Sequence, residues 1–217
     1  MPTRRQCRRY QLEQKRVLDN PGRIKHLRFQ VQSSLVKKHS YLLQYVRKQT
    51  RRLCLRTIKR DPSSLQYIRN QTLEVCLRAV QTKVKVHLPK GRLALLAHLY
   101  QAETADIESV LRFVHNQTPT ICQAAVQKDG LALKYVKEQT PRICLYAVKQ
   151  NGIALQWVRE QTHEICLEAV KQNGIALQWV QEQTPEIIKM AVKQTCVSMK
   201  YVRDQNQEIC TEMIELN

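Results

Sequence analysis

Residues 162–183 read THEICLEAVKQNGIALQWVQEQ, and this stretch decides the fold because related versions of it recur along the chain at a regular interval. A sequence repeat of this length predicts a solenoid of stacked helical units. The period is 22 residues, counted between the residue pairs that close the copies: Gln49-Thr50, Gln71-Thr72, Gln117-Thr118, Gln139-Thr140, Gln161-Thr162, Gln183-Thr184 and Gln205-Asn206. One interval, from Thr72 to Thr118, is 46 residues long, and we interpret it as two distorted repeats.

Each copy contains the signals of two short helices. Thr140 is a good N-cap, and Pro141 suits the first helical position because it needs no donor. The apolar residues that follow form one helix face: Ile143, Cys144, Ala147 and Val148. We expect the helix to end at Asn151-Gly152, with Gly in the left-handed conformation. A second helix follows, and its apolar pattern is Leu155, Trp157 and Val158.

These signals predict the fold class and its divisions. We predict an all-α protein, an α-solenoid of short 22-residue helical hairpins with a basic N-terminal arm. The arm covers 1–27 and the helical repeat domain covers 28–217, with an irregular segment at 81–109. In that segment we expect one helix over 93–103 and another from Thr104 to about Asn116. The chain has no apolar run long enough to cross a bilayer, so we expect a soluble intracellular protein without a transmembrane segment.

Cysteines recur at one point of the repeat. Isoleucine fills the same point at Ile188, which indicates a small buried apolar position. The sequence has no C-x-x-C pair, so we expect buried free thiols and no zinc site. Cys7 and Cys196 lie outside this pattern. The cysteines that share it are Cys54, Cys76, Cys122, Cys144, Cys166 and Cys210.

An aromatic ring also recurs in each repeat. A ladder of exposed rings could stack nucleic-acid bases. However, each ring stands beside an apolar Val or Ile on its short helix, so we expect the rings to pack in the core. The rings are Tyr45, Tyr67, Phe113, Tyr135, Trp157, Trp179 and Tyr201.

The recurring glutamine has two interpretations. An amide at one position of every repeat most simply bonds the backbone of the adjacent loop, because buried polar groups must be paired. The alternative is a role in reading a ligand. We expect the first for all seven residues: Gln49, Gln71, Gln117, Gln139, Gln161, Gln183 and Gln205.

Positive charge is concentrated in the first 90 residues. They contain 23 Lys and Arg against four Asp and Glu, a net charge of +19. A basic run can be an ordinary solvated face, but this imbalance is typical of a polyanionic partner: nucleic acid, an anionic membrane surface or an acidic protein face. The candidate binding residues are Arg4, Arg5, Arg8, Arg9, Lys15, Arg16, Arg23, Lys25, Arg28, Lys37, Lys38, Arg47, Lys48, Arg51, Arg52, Arg56, Lys59 and Arg60.

Patterns typical of catalysis are missing from the sequence. It has no Gly-rich phosphate loop, no G-x-S-x-G and no H-E-x-x-H, and its six His share no spacing. Glu138, Glu160 and Glu182 recur at one position of successive repeats and are interpreted as a solvated stripe. We therefore expect no enzyme, no cofactor, no metal and no small-molecule substrate.

Two neighbouring copies carry a resemblance to a known family. Residues 147–158 and 169–180 both read AVKQNGIALQWV, and each is followed by x-Glu-Gln-Thr. This resembles the repeat of a family of unknown function that is abundant in giant DNA viruses of amoebae. The resemblance is specific over 118–205, fades over 28–80, and does not extend to 1–27 or 81–109.

The resemblance implies a viral source and a non-enzymatic role. We expect a virion structural protein, a minor capsid or scaffold component located in the virion and in the host cytoplasm during assembly. Its repeats would bind other virion proteins, and its basic N-terminal half would bind an acidic or polyanionic partner. The alternative is a nucleic-acid-binding or host-interaction module that acts during infection.

Overall fold

The computed structural model describes the backbone of residues 4–82 and 110–203, and side chains from Leu12 onward within those ranges. The chain divides into two compact bodies, an N-terminal body over 1–115 and a C-terminal body over 116–217. All regular secondary structure in the described ranges is helical, which confirms the predicted all-α class.

Each body alternates α-helices with short 3₁₀ helices. In the N-terminal body the order is α1 Arg4–Asp19, η1 Pro21–His26, α2 Phe29–Lys38, η2 Ser40–Tyr45, α3 Arg51–Arg60, η3 Pro62–Tyr67, α4 Leu73–Gln81 and η4 Val110–Phe113. In the C-terminal body it is α5 Pro119–Lys128, η5 Gly130–Tyr135, α6 Pro141–Gln150, η6 Gly152–Trp157, α7 His163–Gln172, η7 Gly174–Trp179, α8 Pro185–Gln194 and η8 Cys196–Tyr201.

Within each body, elements of one kind pack on the next of the same kind. The 3₁₀ helices form one row, η1 to η4 or η5 to η8, and α2 to α4 or α5 to α8 form a second row. The predicted core face of the first helix is confirmed. Its four residues in α6, Ile143, Cys144, Ala147 and Val148, are all buried, as are their equivalents in α7. Short helices of this kind depend on such neighbours for stability.

The helix starts are confirmed as well. The threonine before α3, α5, α6, α7 and α8 accepts a hydrogen bond from the backbone N–H three residues later, with N–O distances of 3.3–3.5 Å. Thr72, before α4, makes no such side-chain bond. The threonine therefore caps the helix in the most regular copies.

The second helix of each repeat differs from the α-helix that we expected. It is a 3₁₀ helix of six residues in every complete copy. Gly152, Leu155 and Val158 are buried at a spacing of three, which matches the three residues per turn of a 3₁₀ helix. Such helices rarely exceed three or four residues, so the neighbouring layers must stabilise them.

The glycine that follows the first helix has a role that we predicted wrongly. Asn151 has extended φ and ψ angles of −151° and 110°, and its side chain accepts a bond from the N–H of Ile153. A Cβ on Gly152 would lie 2.4 Å from the carbonyl oxygen of Ala169, in the next repeat. Glycine is therefore required by the close approach of two layers, and not by a left-handed conformation. Cys196 occupies the equivalent position after α8 and is exposed.

Glutamine side chains bond backbone groups, as the sequence predicts, but these groups belong to the next layer and not only to the adjacent loop. We name Gln49, Gln71, Gln117, Gln139, Gln161 and Gln183 the bridging glutamines. Each donates from Nε2 to a carbonyl oxygen of the next 3₁₀ helix at 2.8–2.9 Å. Each also accepts, at Oε1, the backbone N–H two residues beyond that carbonyl. Gln205 lies outside the described residues.

The bridging glutamines also correct our interpretation of the long interval between Thr72 and Thr118. Gln49 bonds a carbonyl 18 residues ahead, whereas Gln71 bonds the carbonyl of Phe113, 42 residues ahead. Thus η4 packs directly on η3 in the row of 3₁₀ helices. The interval from Thr72 to Thr118 therefore does not place an additional 3₁₀ layer between them. Near its end, the α-helix expected to reach Asn116 is replaced by η4. The helix expected over 93–103 lies outside the described residues.

The described part of the predicted basic arm is largely helical. It contains α1 and η1, and Val17 and Ile24 are buried with exposed fractions of 2% and 0%. Because η1 packs on η2, the alternation of α and 3₁₀ helices continues on the N-terminal side of residue 28. Packed helices are therefore present on both sides of the predicted boundary at 27.

The prediction that the aromatic rings fill the core is wrong. None of the seven is buried, and Tyr45 and Trp157 are 38% and 36% exposed. Leu155 fills the core position, with an exposed fraction of 0%. The Lys134 ammonium lies 5.0 Å from the centre of the Trp157 ring, within reach of a cation–π contact.

Candidate polyanion-binding surface

Fourteen of the eighteen predicted binding residues are seen on the solvent side of the N-terminal body. The remaining four, Arg4, Arg5, Arg8 and Arg9, belong to α1, and their side chains are outside the described residues. The fourteen are all exposed: Lys15, Arg16, Arg23, Lys25, Arg28, Lys37, Lys38, Arg47, Lys48, Arg51, Arg52, Arg56, Lys59 and Arg60.

Ten of these cations fall within residues 28–60, a stretch that contains no Asp or Glu. We name their exposed side chains the basic surface. Five of the ten belong to α3, whose buried face is formed by Leu53, Cys54, Thr57 and Ile58. Arg52, Arg56 and Lys59 follow one another at i, i+4 and i+7, so they form a ridge on the opposite face. Folding thus gives these three charges of α3 a common direction.

Three cations of α3, Arg51, Arg52 and Arg56, lie at positions where a positive charge does not favour the helix itself. Arg51 and Arg52 lie in its first turn, where the helix dipole disfavours cations. Arg52 and Arg56 are like charges at i and i+4, which weakens an isolated helix by about 0.2–0.5 kcal/mol. Because local stability does not explain these cations, they are good candidates for an external anionic contact.

Only part of the basic surface is neutralised within the protein. The Arg51 guanidinium makes two bonds to the Glu74 carboxylate, at 2.7 and 2.8 Å. Arg60 donates from Nη1 to the carbonyl oxygen of Lys37 at 2.6 Å. In the described ranges, the Lys38, Arg52 and Arg56 side chains make no hydrogen bond or ion pair. These charges remain available to an external partner.

Sequence reasoning missed two exposed cations that continue the pattern. Arg69 and Arg78 lie one repeat after Arg47 and Arg56, so the repeat period itself was the signal that could have found them. Arg69 donates from Nη2 to the carbonyl oxygen of Gln44 at 2.9 Å. Its guanidinium therefore also joins two layers, as the bridging glutamines do.

The C-terminal body does not continue the basic surface. Two surface grooves occupy equivalent places one repeat apart, with volumes of about 300 and 130 Å³. The larger is lined by Lys137 and Arg159 together with Glu138 and Glu160. The lining of the smaller includes Glu182 and no Lys or Arg, so neither groove offers a concentrated positive field.

The described cysteines of the repeat are buried, as predicted. Burial raises the pKa of the Cys144 thiol, and it raises that of Cys166 to about 11 with help from the Glu182 charge. A thiol with so high a pKa is protonated at neutral pH, and only the thiolate acts as a nucleophile or metal ligand. In the part of the chain that the structure describes, no three His, Cys, Asp or Glu residues converge as a metal site. Cys210 and the side chain of Cys7 lie outside the described part of the chain.

None of the helices in the described ranges combines the length and the apolar character needed to span a bilayer. The structure thus defines a class, an all-helical protein of repeat-like architecture with a basic N-terminal body. A family model described as "Domain of unknown function (DUF4116)" matches residues 142–183. No curated protein and no solved structure matches the chain. The matched residues lie in α6 to η7 and the loop after it, so the family match does not include the basic surface.

Proposed function

We propose that this is a non-catalytic binding protein whose N-terminal body holds a polyanionic partner on the basic surface. The observation that carries the proposal is the set of exposed cations on α2 and α3, in a stretch without a single acidic residue. Such a field attracts a polyanion and raises its association rate. The stacked repeats are proposed to bind neighbouring proteins.

The resemblance to repeats of giant viruses supports a more specific proposal. In it, the protein is a minor capsid or scaffold component of a virion, present in the host cytoplasm during assembly. Its partner would be a neighbouring virion protein with an acidic face, an anionic membrane surface or the genome. The competing proposal is a nucleic-acid-binding or host-interaction module that acts during infection.

Salt dependence tests the binding proposal. The full chain is titrated with a duplex DNA of random sequence, and the association constant is measured against salt concentration. Each phosphate contact contributes about −0.9 to the slope of the log–log plot. The triple variant Arg52→Gln, Arg56→Gln, Lys59→Gln should bind more weakly and show a shallower slope.

A matched control removes three charges from the C-terminal body. Lys137, Lys189 and Lys193 are exposed, and no ion pair of theirs is seen in the described ranges. Their replacement by Gln should leave the slope near that of the unaltered protein. Equal loss in both variants, or no binding of the unaltered protein at low salt, would refute the proposed role of the basic surface.

Purified virus particles separate the two biological roles. Mass spectrometry should find the protein at a fixed ratio to the major capsid protein if it is structural, and its absence would favour the infection-stage module. Charge reversal at Arg4, Arg5, Arg8 and Arg9 should prevent incorporation if α1 is a tether. Normal incorporation with defective genome retention would favour nucleic acid as the partner.

A further inference from the structure

The two bodies pack their layers differently at one position of the repeat. In the C-terminal body, the Gly152 N–H donates to Oε1 of Gln172, 20 residues later, and no side chain separates the layers. The pairs Gly130 with Gln150 and Gly174 with Gln194 repeat this bond. In the N-terminal body the equivalent positions, again 20 residues apart, hold Ser40 and Arg60, and each of these residues bonds another group. A small residue and a neutral amide are thus replaced by a hydroxyl and a guanidinium.

This replacement coincides with a cleft between α2 and α3. Arg60 turns its guanidinium to the carbonyl oxygen of Lys37, and the Ser40 hydroxyl donates to the Asp61 carboxylate. The cleft between these groups has a volume of about 50 Å³. Its apolar floor includes Val36 and Leu53, and its rim includes both Arg60 and Asp61. The tight Gly–Gln contact of the C-terminal body has no counterpart here.

The groups around the cleft are strongly positive. Four cations line it, namely Lys37, Lys38, Arg56 and Arg60, against one carboxylate. That carboxylate, Asp61, is already engaged, because it also accepts the backbone N–H of Ser63 at 3.1 Å. The Ser33 hydroxyl adds a neutral group to the lining. The excess of positive charge and N–H donors suits an oxyanion.

The size of the cleft limits what it can bind. Pockets for cofactors and other small organic ligands typically occupy about 300–1,000 Å³. A cleft of about 50 Å³ can hold no more than a single small group. Since Arg56 belongs both to the cleft and to the ridge of α3, a group bound here could be part of a longer anion lying along that ridge.

We propose that the cleft between α2 and α3 is a binding site for one phosphate group, held by Lys38, Arg56 and Arg60. The proposal rests on the proposed function, because the phosphate would belong to the polyanion on the basic surface. A phosphate seated here fixes the position of that polyanion along α3. The rest of the basic surface contributes attraction without a defined contact.

Inorganic phosphate is the probe that tests the site. The full chain is titrated with phosphate at constant ionic strength while backbone amide signals are followed by NMR. We expect saturable shifts around Ser40 and Arg60. The double variant Lys38→Gln, Arg56→Gln should weaken this binding at least tenfold, whereas Arg56→Lys, which keeps the charge, should retain most of it.

The matched control is the double variant Arg52→Gln with Lys59→Gln. It also removes two positive charges, but both residues lie outside the lining of the cleft. It should change phosphate affinity less than twofold. Circular dichroism on both double variants confirms that they remain folded. Equal weakening in the two variants, or shifts that do not saturate, would overturn the phosphate site.

Titration with duplex DNA in the same solutions separates the proposed phosphate site from the proposed binding of a polyanion to the basic surface. If the basic surface binds no DNA at low salt, the proposed function fails even when phosphate occupies the cleft. If DNA binds equally to both double variants and phosphate does not saturate, only the cleft proposal fails. Competition between phosphate and DNA in the unaltered protein identifies backbone phosphates as the occupants, whereas saturation without competition identifies a free or terminal phosphate.

Discussion

The Nε2 atom of Gln161 lies 2.9 Å from the carbonyl oxygen of Trp179, and this bond joins two successive layers of the C-terminal body. The same amide accepts the N–H of Gln181 at 3.0 Å. One side chain thus supplies a donor and an acceptor to the backbone of the next repeat. A carboxylate could make only one of these two bonds.

Replacing Gln161 by Ala should lower the free energy of unfolding by about 1–3 kcal/mol, because a carbonyl and an N–H lose their partner. Urea denaturation measures the change. The control is Gln156→Ala, since Gln156 is exposed and makes no bond seen in the described ranges. Equal stability of the two variants would contradict a structural role for the bridging glutamines.

Gly152→Ala should destabilise the protein by about 1–3 kcal/mol or more, the range for overpacking. The new Cβ would lie 2.4 Å from the carbonyl oxygen of Ala169, so the two layers must separate. Thermal unfolding detects the loss. Gly22→Ala is the matched control, because its Cβ would meet no atom closer than 3.6 Å. A Gly152→Ala variant as stable as this control would show that the layers are not in close contact.

Leu155→Ala should cost about 2–5 kcal/mol, as expected for a fully buried leucine. Trp157→Ala should cost less, although its ring is larger, because the ring is 36% exposed. The denaturant concentrations at which the two variants are half unfolded show which substitution costs more stability. The reverse order would restore the ring to the core, as the sequence had suggested.

Cys166 should resist alkylation in the native protein, whereas Cys196 should react. The raised pKa of about 11 leaves about one Cys166 thiol in a thousand ionised at pH 8, and the side chain is buried. Cys196 is exposed. Iodoacetamide labelling followed by peptide mapping compares the two sites, and labelling in concentrated urea serves as the reference. Equal native rates would show that the layers open readily at Cys166.

Much of the fold could be predicted because repetition restricts the roles of side chains. A position that takes Cys or Ile in successive copies has to be a small apolar space, and the structure buries Cys166 and Ile188 alike. A glutamine at the same place in every copy needs a backbone partner, which Gln161 has. Thr162 caps its helix for the same local reason that applies to any helix start.

The errors arose where neighbouring layers decide the conformation. Nothing local distinguishes a short α-helix from the 3₁₀ helix at 152–157, because its stability comes from the layers beside it. The ring of Trp157 was placed in the core because it adjoins Val158. Val158, however, continues the spacing of three that buries Gly152 and Leu155, and Trp157 lies one position off that spacing. The role of Gly152 depends on the carbonyl of Ala169, which belongs to the next repeat.

The candidate site, too, could be predicted only in part from the sequence. Charge counting located the basic half of the chain, since an excess of Lys and Arg needs no coordinates. It could not find the cleft, which depends on Ser40 and Arg60 replacing a glycine and a glutamine across two layers. Comparing the Gly152–Gln172 pair with its counterparts in the other copies would have shown that substitution in the sequence.

The bridging glutamines also have a consequence for how such a chain can evolve in length. Each repeat provides the glutamine side chain that bonds the next layer. It also provides the backbone carbonyl and N–H that are bonded by the glutamine of the preceding layer. An in-frame duplication of one repeat therefore meets complementary groups on both sides at once, and leaves no polar group without a partner. The identical stretches 147–158 and 169–180 are what a recent tandem duplication of this kind would leave. Growth by whole repeats is thus open to this architecture, and the bridge from Gln71 to Phe113 persists across residues added between α4 and η4.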